Sequence, residues 1–201
     1  MIGAIIAGGA STRFGRTPKG LLTVAGARII DRVAAALLGV TSDLILVANA
    51  GDAETWLQSP RGIPVVSDVR SERGSLVGIH TALSRARSDV MAVAWDMPFV
   101  TTRLLELIRD RGRFEKFATV PEGAGGLEPF CALYTSGCLP IIEAALDAGD
   151  LRMSNALQRL PTMTRVSRDE IETVGDPARL FFNVNTAQDL ESAERMAASP
   201  F

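Results

Sequence analysis

The chain has 201 residues, 47% of them hydrophobic and 22% charged, which suits one soluble domain with a full core. Twenty-one Lys and Arg against 23 Asp and Glu leave a formal charge of −2, so no broad basic field exists for nucleic acid. One histidine, His80, and two cysteines, Cys131 and Cys138, exclude a Cys/His metal cluster and fit buried thiols in a reducing compartment.

The first apolar run, "MIGAIIA", reads as a buried strand. It is too short for a signal peptide and lacks a basic lead, and no run approaches the ~18 apolar residues of a membrane span. The expectation is a cytoplasmic protein without membrane contact.

Directly after that strand comes "GGASTRFGRTPKG", with Gly8, Gly9, Ser11, Arg13, Gly15 and Lys19 in one loop. Glycines allow a backbone to turn tightly against a ligand, and Arg and Lys supply positive charge, so the loop points to an anion. It is neither a P-loop, which needs G-K-[ST], nor the G-x-G-x-x-G dinucleotide fingerprint.

"ARIIDRVAAALLG" has helical spacing and a terminal Gly39; "SDLILVAN" is a second strand, "DAETWLQS" a short helix and "IPVVSD" a third strand. "SLVGIHTALSRAR" reads as a helix with Ser75 as N-cap, "DVMAVAWD" as a fourth strand ending at Asp96, and "TTRLLELIRDRG" as a helix opened by Thr101 or Thr102. This alternation predicts an α/β fold, a Rossmann-like three-layer sandwich with a mostly parallel sheet, whose ligands sit outside the strand carboxyl ends.

The glycine loop, Asn49, Asp68 and Asp96 all fall at such ends. A carboxylate at position 96 is placed to hold Mg²⁺, which takes one or two carboxylates with phosphates and waters. It serves equally as a turn residue, as do Asn49 and Asp68. Pro98 rules out a D-x-D motif.

After residue 114 the pattern changes to two strands around "EGAGG", helices at "GCLPIIEAALDAG" and "RMSNALQRL", and short strands "TMTRVS" and "LFFNVN". A strand over "NVN" would put Asn183 and Asn185 on one face. Thr186 with Asp189 opens the last helix as an imperfect capping box. Without linker or repeat, residues 1–201 read as one domain. His80, Trp95 and Met97 read as packing residues.

In this order, "IIAGGASTRFGRTPKGLL", "ILVAN", "VVSD", "GSLVGI", "WDMPFV", "EPFCALY" and "FFNVNTAQDL" resemble the MobA family of molybdenum cofactor guanylyltransferases, over about residues 2 to 195. The first motif marks the wider nucleotidyltransferase group. The Gly8-Gly9 pair, "GSLVGI" and "NVNTAQDL" narrow it.

The resemblance implies a nucleotidyltransferase that moves GMP from MgGTP to molybdopterin and releases pyrophosphate. Ile6, Ala7, Gly8 and Gly9 would then lie along the nucleotide, Arg13 and Lys19 would meet its phosphates, and Asn49 and Asp68 would bind the nucleoside. Asp96 would hold magnesium, and Asn183 and Asn185 would stand on the acceptor side. It also implies transient contact with proteins that carry or receive the cofactor.

Departures from the family pattern are Phe14 for a usual Met, Pro18 for a frequent Asp, Ser75 for a frequent Pro and Trp95 for a frequent Cys. A cytidylyltransferase or sugar-phosphate enzyme of the same fold, or a non-catalytic nucleotide-binding module, are the alternatives.

Overall fold

A computed structural model describes residues 1–7, 18–48, 62–70, 72 and 74–198. The predicted helix over residues 52–59 lies outside them. In chain order the elements are β1 (Ile2–Ala7), β2 (Thr23–Val24), β3 (Ala27–Arg28), α1 (Ile29–Leu38), β4 (Asp43–Ala48), β5 (Val65–Ser67), α2 (Ser75–Ala86), β6 (Val90–Ala94) and α3 (Thr102–Arg111). The second half holds β7 (Ala118–Gly123), β8 (Gly126–Leu127), β9 (Cys131–Tyr134), α4 (Leu139–Asp147), α5 (Met153–Gln158), β10 (Met163–Val166), α6 (Arg168–Glu172), α7 (Pro177–Leu180) and α8 (Ala187–Ala198).

The main sheet runs β10-β7-β9-β6-β1-β4-β5. β1 pairs in parallel with β4 and β6, β4 with β5, and β7 with β10; β9 is antiparallel to both β6 and β7. The expected mostly parallel sheet therefore holds, with β9 reversed at its centre. β8 folds back on β7 through a tight hairpin.

Near-continuous apolar strands make sense once both faces are covered. Alternate residues of β1 show how: Ala4 and Ile6 pack with α2, α4 and α5, while Ile5 and Ala7 pack with α1, α3 and α8. Val90, Met91, Ala92 and Val93 of the central β6 are fully buried. Full burial of Val90, Met91 and Val93 contributes roughly 1.5–3 kcal/mol each, so the layers close around this strand.

Several boundaries differ from the sequence reading. Ala27 and Arg28 form a small antiparallel hairpin with Thr23 and Val24, and α1 begins only at Ile29. Gly74, with extended backbone, takes the N-cap of α2, so Ser75 is its first helical residue and not its cap. The strand expected over "LFFNVN" is absent: residues 177–180 are helical and residues 182–185 form an irregular segment. That segment is pinned to the sheet edge, because the Val184 N–H donates to the Asp96 carbonyl at 2.9 Å.

Thr101 does cap α3, its hydroxyl accepting from the Leu104 N–H at 3.2 Å. Both cysteines are buried. Burial raises the Cys131 thiol, and it pushes Cys138 up to about 12, a thiol that donates to the Phe117 carbonyl.

Candidate active site

The carboxyl edge of the parallel strands is where the first-half and second-half residues meet. Beyond β6 the chain turns through Trp95 and Asp96, and the Trp95 N–H donates back to the Ile6 carbonyl of β1 at 3.2 Å. Asp96 thus sits one residue past a buried indole that is only 3% exposed.

Lys19 reaches the same point from a one-turn 3₁₀ helix, Lys19–Leu21. Gly20 makes this approach feasible: a Cβ there would stand 2.6 Å from Trp95 Cε3. The missing side chain lets the turn lie flat on the indole. Lys19 Nζ then lies 3.7 Å from Asp96 Oδ2 and donates to Asn185 Oδ1 at 2.7 Å.

Both charged side chains are mostly shielded, 15% and 13% exposed. Burial pushes the Asp96 carboxyl above its ordinary value, and the Lys19 ammonium and a backbone hydrogen bond draw it partly back.

Asn185 arrives from the turn before α8. The Asp189 carboxylate accepts from the N–H groups of Asn185 and Thr186 at 2.9 and 2.8 Å, while the Thr186 hydroxyl accepts from the Asp189 N–H at 3.2 Å. The capping box is complete in both directions with Asp in place of Glu. Burial raises the Asp189 carboxyl, but these hydrogen bonds outweigh it and hold the group below its usual value.

The two asparagines of "NVN" do different things. Asn185 serves Lys19, whereas Asn183 turns its amide back to the Phe181 carbonyl at 2.8 Å. They share no strand face, because no strand forms there.

On the other side of β1, Asp68 follows β5. Its N–H donates to the Ala48 carbonyl at 3.2 Å, and its Oδ1 accepts from the buried Thr81 hydroxyl of α2 at 3.2 Å. The same Thr81 oxygen accepts from the Val69 N–H. Burial raises the Asp68 carboxyl, and the Thr81 bond opposes it.

Ile6 and Ala7 are buried at the end of β1, with α2 close above. A Cβ on Gly78 would come within 2.9 Å of Ile6 Cγ2, so "GSLVGI" owes its second glycine to this contact. His80 is 5% exposed with Nε2 3.4 Å from Glu143 Oε1, a packed residue as read from the sequence.

Gly8, Gly9, Arg13 and Asn49 lie outside the described residues. Of the other predicted positions, Lys19, Asp96 and Asn185 converge, Ile6, Ala7 and Asp68 line the same edge nearby, and Asn183 is turned into its own loop. Thr81 and Asp189 were missed as supporting residues. No short-range sequence signal marks Thr81, whereas Asp189 was recognised only as a cap.

Among the described residues no group of three or more His, Cys, Asp or Glu converges. A cation here would rest on the Asp96 carboxylate together with phosphates and water. That donor set fits a hard divalent ion. Among the same residues no helix is long and apolar enough to cross a membrane.

Residues 3–163 match the family model of the MobA-like NTP transferase domain. The chain belongs to this family. It is 34% identical over 194 residues to a molybdenum cofactor guanylyltransferase of Desulfosudis oleivorans, covering 96% of this chain and 93% of that protein. It is 35% identical over 196 residues to a probable molybdenum cofactor guanylyltransferase of Pelotomaculum thermopropionicum, covering 97% and 92%.

Its fold is similar to the crystal structure of molybdopterin-guanine dinucleotide biosynthesis protein A from Archaeoglobus fulgidus. The TM-score is 0.84 at 26% identity, over 98% of this chain and 99% of that one. Within a MobA-like NTP transferase, the Lys19–Asp96 pair stands at the sheet edge where this fold class places its ligand.

Proposed function

We propose that the chain, acting as a single nucleotidyltransferase domain, transfers GMP from MgGTP to molybdopterin and releases pyrophosphate. The observation that carries this reading is Lys19 Nζ held between Asp96 and Asn185 at the carboxyl edge of the parallel strands of a MobA-like domain.

The nucleotide would lie across the ends of β1, β4 and β5. Ile6, Ala7, Gly8 and Gly9 would pass beneath it, Asn49 and Asp68 would hold the nucleoside, and Arg13 and Lys19 would meet the phosphates. Asp68 is suited to accept from donors because Thr81 occupies one of its oxygens and leaves the other. Asn183 and Asn185 would stand on the acceptor side, Asn185 also holding Lys19 and Asn183 with its amide bonded to the Phe181 carbonyl.

Transfer of a nucleotidyl group needs little covalent help from the protein. It depends on positioning and on cations where charge develops. An acceptor phosphate, with a second pKa near ~6, is ionised at neutral pH and needs no histidine base. It attacks the α-phosphorus in line, the bond to pyrophosphate breaks, and Lys19 and Arg13 neutralise the leaving oxygens. Mg²⁺ bound through Asp96 would add charge neutralisation and fix the phosphate geometry.

Calorimetry of GTP, CTP, ATP and UTP with Mg²⁺, followed by a pyrophosphate-release assay with molybdopterin, tests the reading. Preference for GTP and transfer to molybdopterin are expected. Preference for CTP would make it a cytidylyltransferase, and binding without pyrophosphate release would leave a non-catalytic module.

A further inference from the structure

β9 enters the sheet against β6 with Val93 opposite Cys131, and the Ala94 N–H donates to the Phe130 carbonyl at 2.7 Å. Before Cys131 the chain leaves that ladder through a turn, and the β7–β8 pairing sets Glu128 opposite Pro121, two residues before the carboxyl end of β7. Glu128 therefore belongs to the same sheet edge as Asp96, on the β7–β9 side. Its N–H donates to the Pro121 carbonyl at 2.9 Å, and its own carbonyl accepts from the Cys131 N–H at 3.1 Å. The backbone is pinned between β7 and β9. The side chain lies along Gly123, where a Cβ would stand 2.5 Å from Glu128 Oε1.

The carboxylate is half-buried, yet the structure gives it no partner among the described residues. The acids that the site brings together each have one: Asp96 has Lys19, Asp68 has Thr81, and Asp189 has two backbone N–H groups. Burial raises the Glu128 carboxyl, and among the described residues neither hydrogen bond nor cation offsets it. A half-buried carboxylate that no described residue uses is open to a ligand.

An ionised carboxylate accepts hydrogen bonds and repels phosphate. The ligand part it suits has two adjacent N–H donors and no negative charge. A 2-amino-pyrimidinone edge, a ring N–H beside an exocyclic amine, has this form and occurs in both guanine and pterin. Position separates the two. Ile6, Ala7 and Asp68 lie on β1 and after β5, whereas Glu128 lies across β6 from them.

We propose that Glu128 is the residue that selects the acceptor, receiving the 2-amino-pyrimidinone edge of its pterin. The assignment rests on the guanylyl-transfer reading for the identity of that acceptor. Loss of one hydrogen bond to a buried charged group weakens the recognised ligand strongly, since the site is then left with an unmatched polar group.

The test is a titration of 6-hydroxymethylpterin, followed by its fluorescence, on the full chain and on Glu128→Gln, alongside calorimetry of MgGTP on both. The variant is expected to bind the pterin at least about tenfold more weakly, with GTP affinity unchanged within about twofold. Undiminished GTP binding also reports a folded variant. Should Glu128→Gln not fold, Glu128→Asp, which withdraws the charge by one methylene, carries the same expectation.

Equal pterin binding in both proteins, or none by the unsubstituted chain, overturns the assignment even where GMP transfer proceeds. A loss confined to GTP overturns it too and moves Glu128 to the nucleotide half. Intact Glu128-dependent pterin binding without any GMP transfer supports the assignment and instead sinks the reaction proposed above.

Discussion

Lys19 is held in place by a charged neighbour at 3.7 Å and a neutral one at 2.7 Å. Each should be separable by substitution. Lys19→Ala removes the cation and is expected to lower GMP transfer by roughly 10³-fold or more, as for other preorganised charges at a transition state. Asn185→Ala leaves the cation but frees it, and about a tenfold loss in kcat/KM is expected. Steady-state kinetics on both variants checks this; an Asn185→Ala effect confined to the acceptor KM would show that the amide acts on the acceptor and not through Lys19.

Asp96 gives a prediction of opposite sign for stability and activity. Its folded carboxyl is raised above the unfolded value, chiefly by burial, so the folded state binds this proton more tightly. Its contribution then declines as pH rises from the ordinary carboxylate range through the raised value, and the ionised form is a cost at neutral pH. Asp96→Asn is expected to abolish transfer while melting no lower than the unsubstituted chain at pH 7. Paired activity assays and thermal melts would read both, and a markedly lower melting temperature would contradict the burial argument.

At the scale of elements, the site depends on two joints. One is the turn at Lys19–Leu21 resting on Trp95. Gly20→Ala would drive a methyl into the indole, and overpacking of this kind costs about 1–3 kcal/mol and lifts Lys19 from Asp96. A lowered urea midpoint together with reduced transfer is the expected result. The other joint is the start of α8, where Asp189 ties the Asn185 backbone to the helix.

The elements that escaped the sequence reading were legible in hindsight from local chemistry. α6 opens on Ser167 with Glu170 three residues on, a complete capping box. α7 opens on Asp176 with Pro177 at its first turn. Both helices are short and carry little periodicity, so the apolar pattern of "LFFNVN" dominated and suggested a strand.

Over the whole molecule, the buried thiols offer a check on the packing. Burial raises both Cys131 and Cys138, the latter to about 12, so little thiolate exists at neutral pH. A thiol reagent should leave both intact in the folded chain and react promptly in urea. Reaction of the native chain at the rate of a free thiol would mean that the β9 region opens readily.

By itself the sequence determined the α/β alternation, the strand ends that carry Asp68 and Asp96, and the cationic loop, because periodicity and residue chemistry act over a few neighbours. It also determined family membership through motifs spread along the chain. Only the tertiary structure decided which of those residues meet. Lys19 and Asn185 are 166 positions apart, and their contact needs Gly20 flat on Trp95 and Val184 bonded to the Asp96 carbonyl. The setting of the Glu128 carboxylate emerged in the same way. Neighbours in sequence say what a side chain can do, but the pairing of strands distant in the chain sets where it can do it.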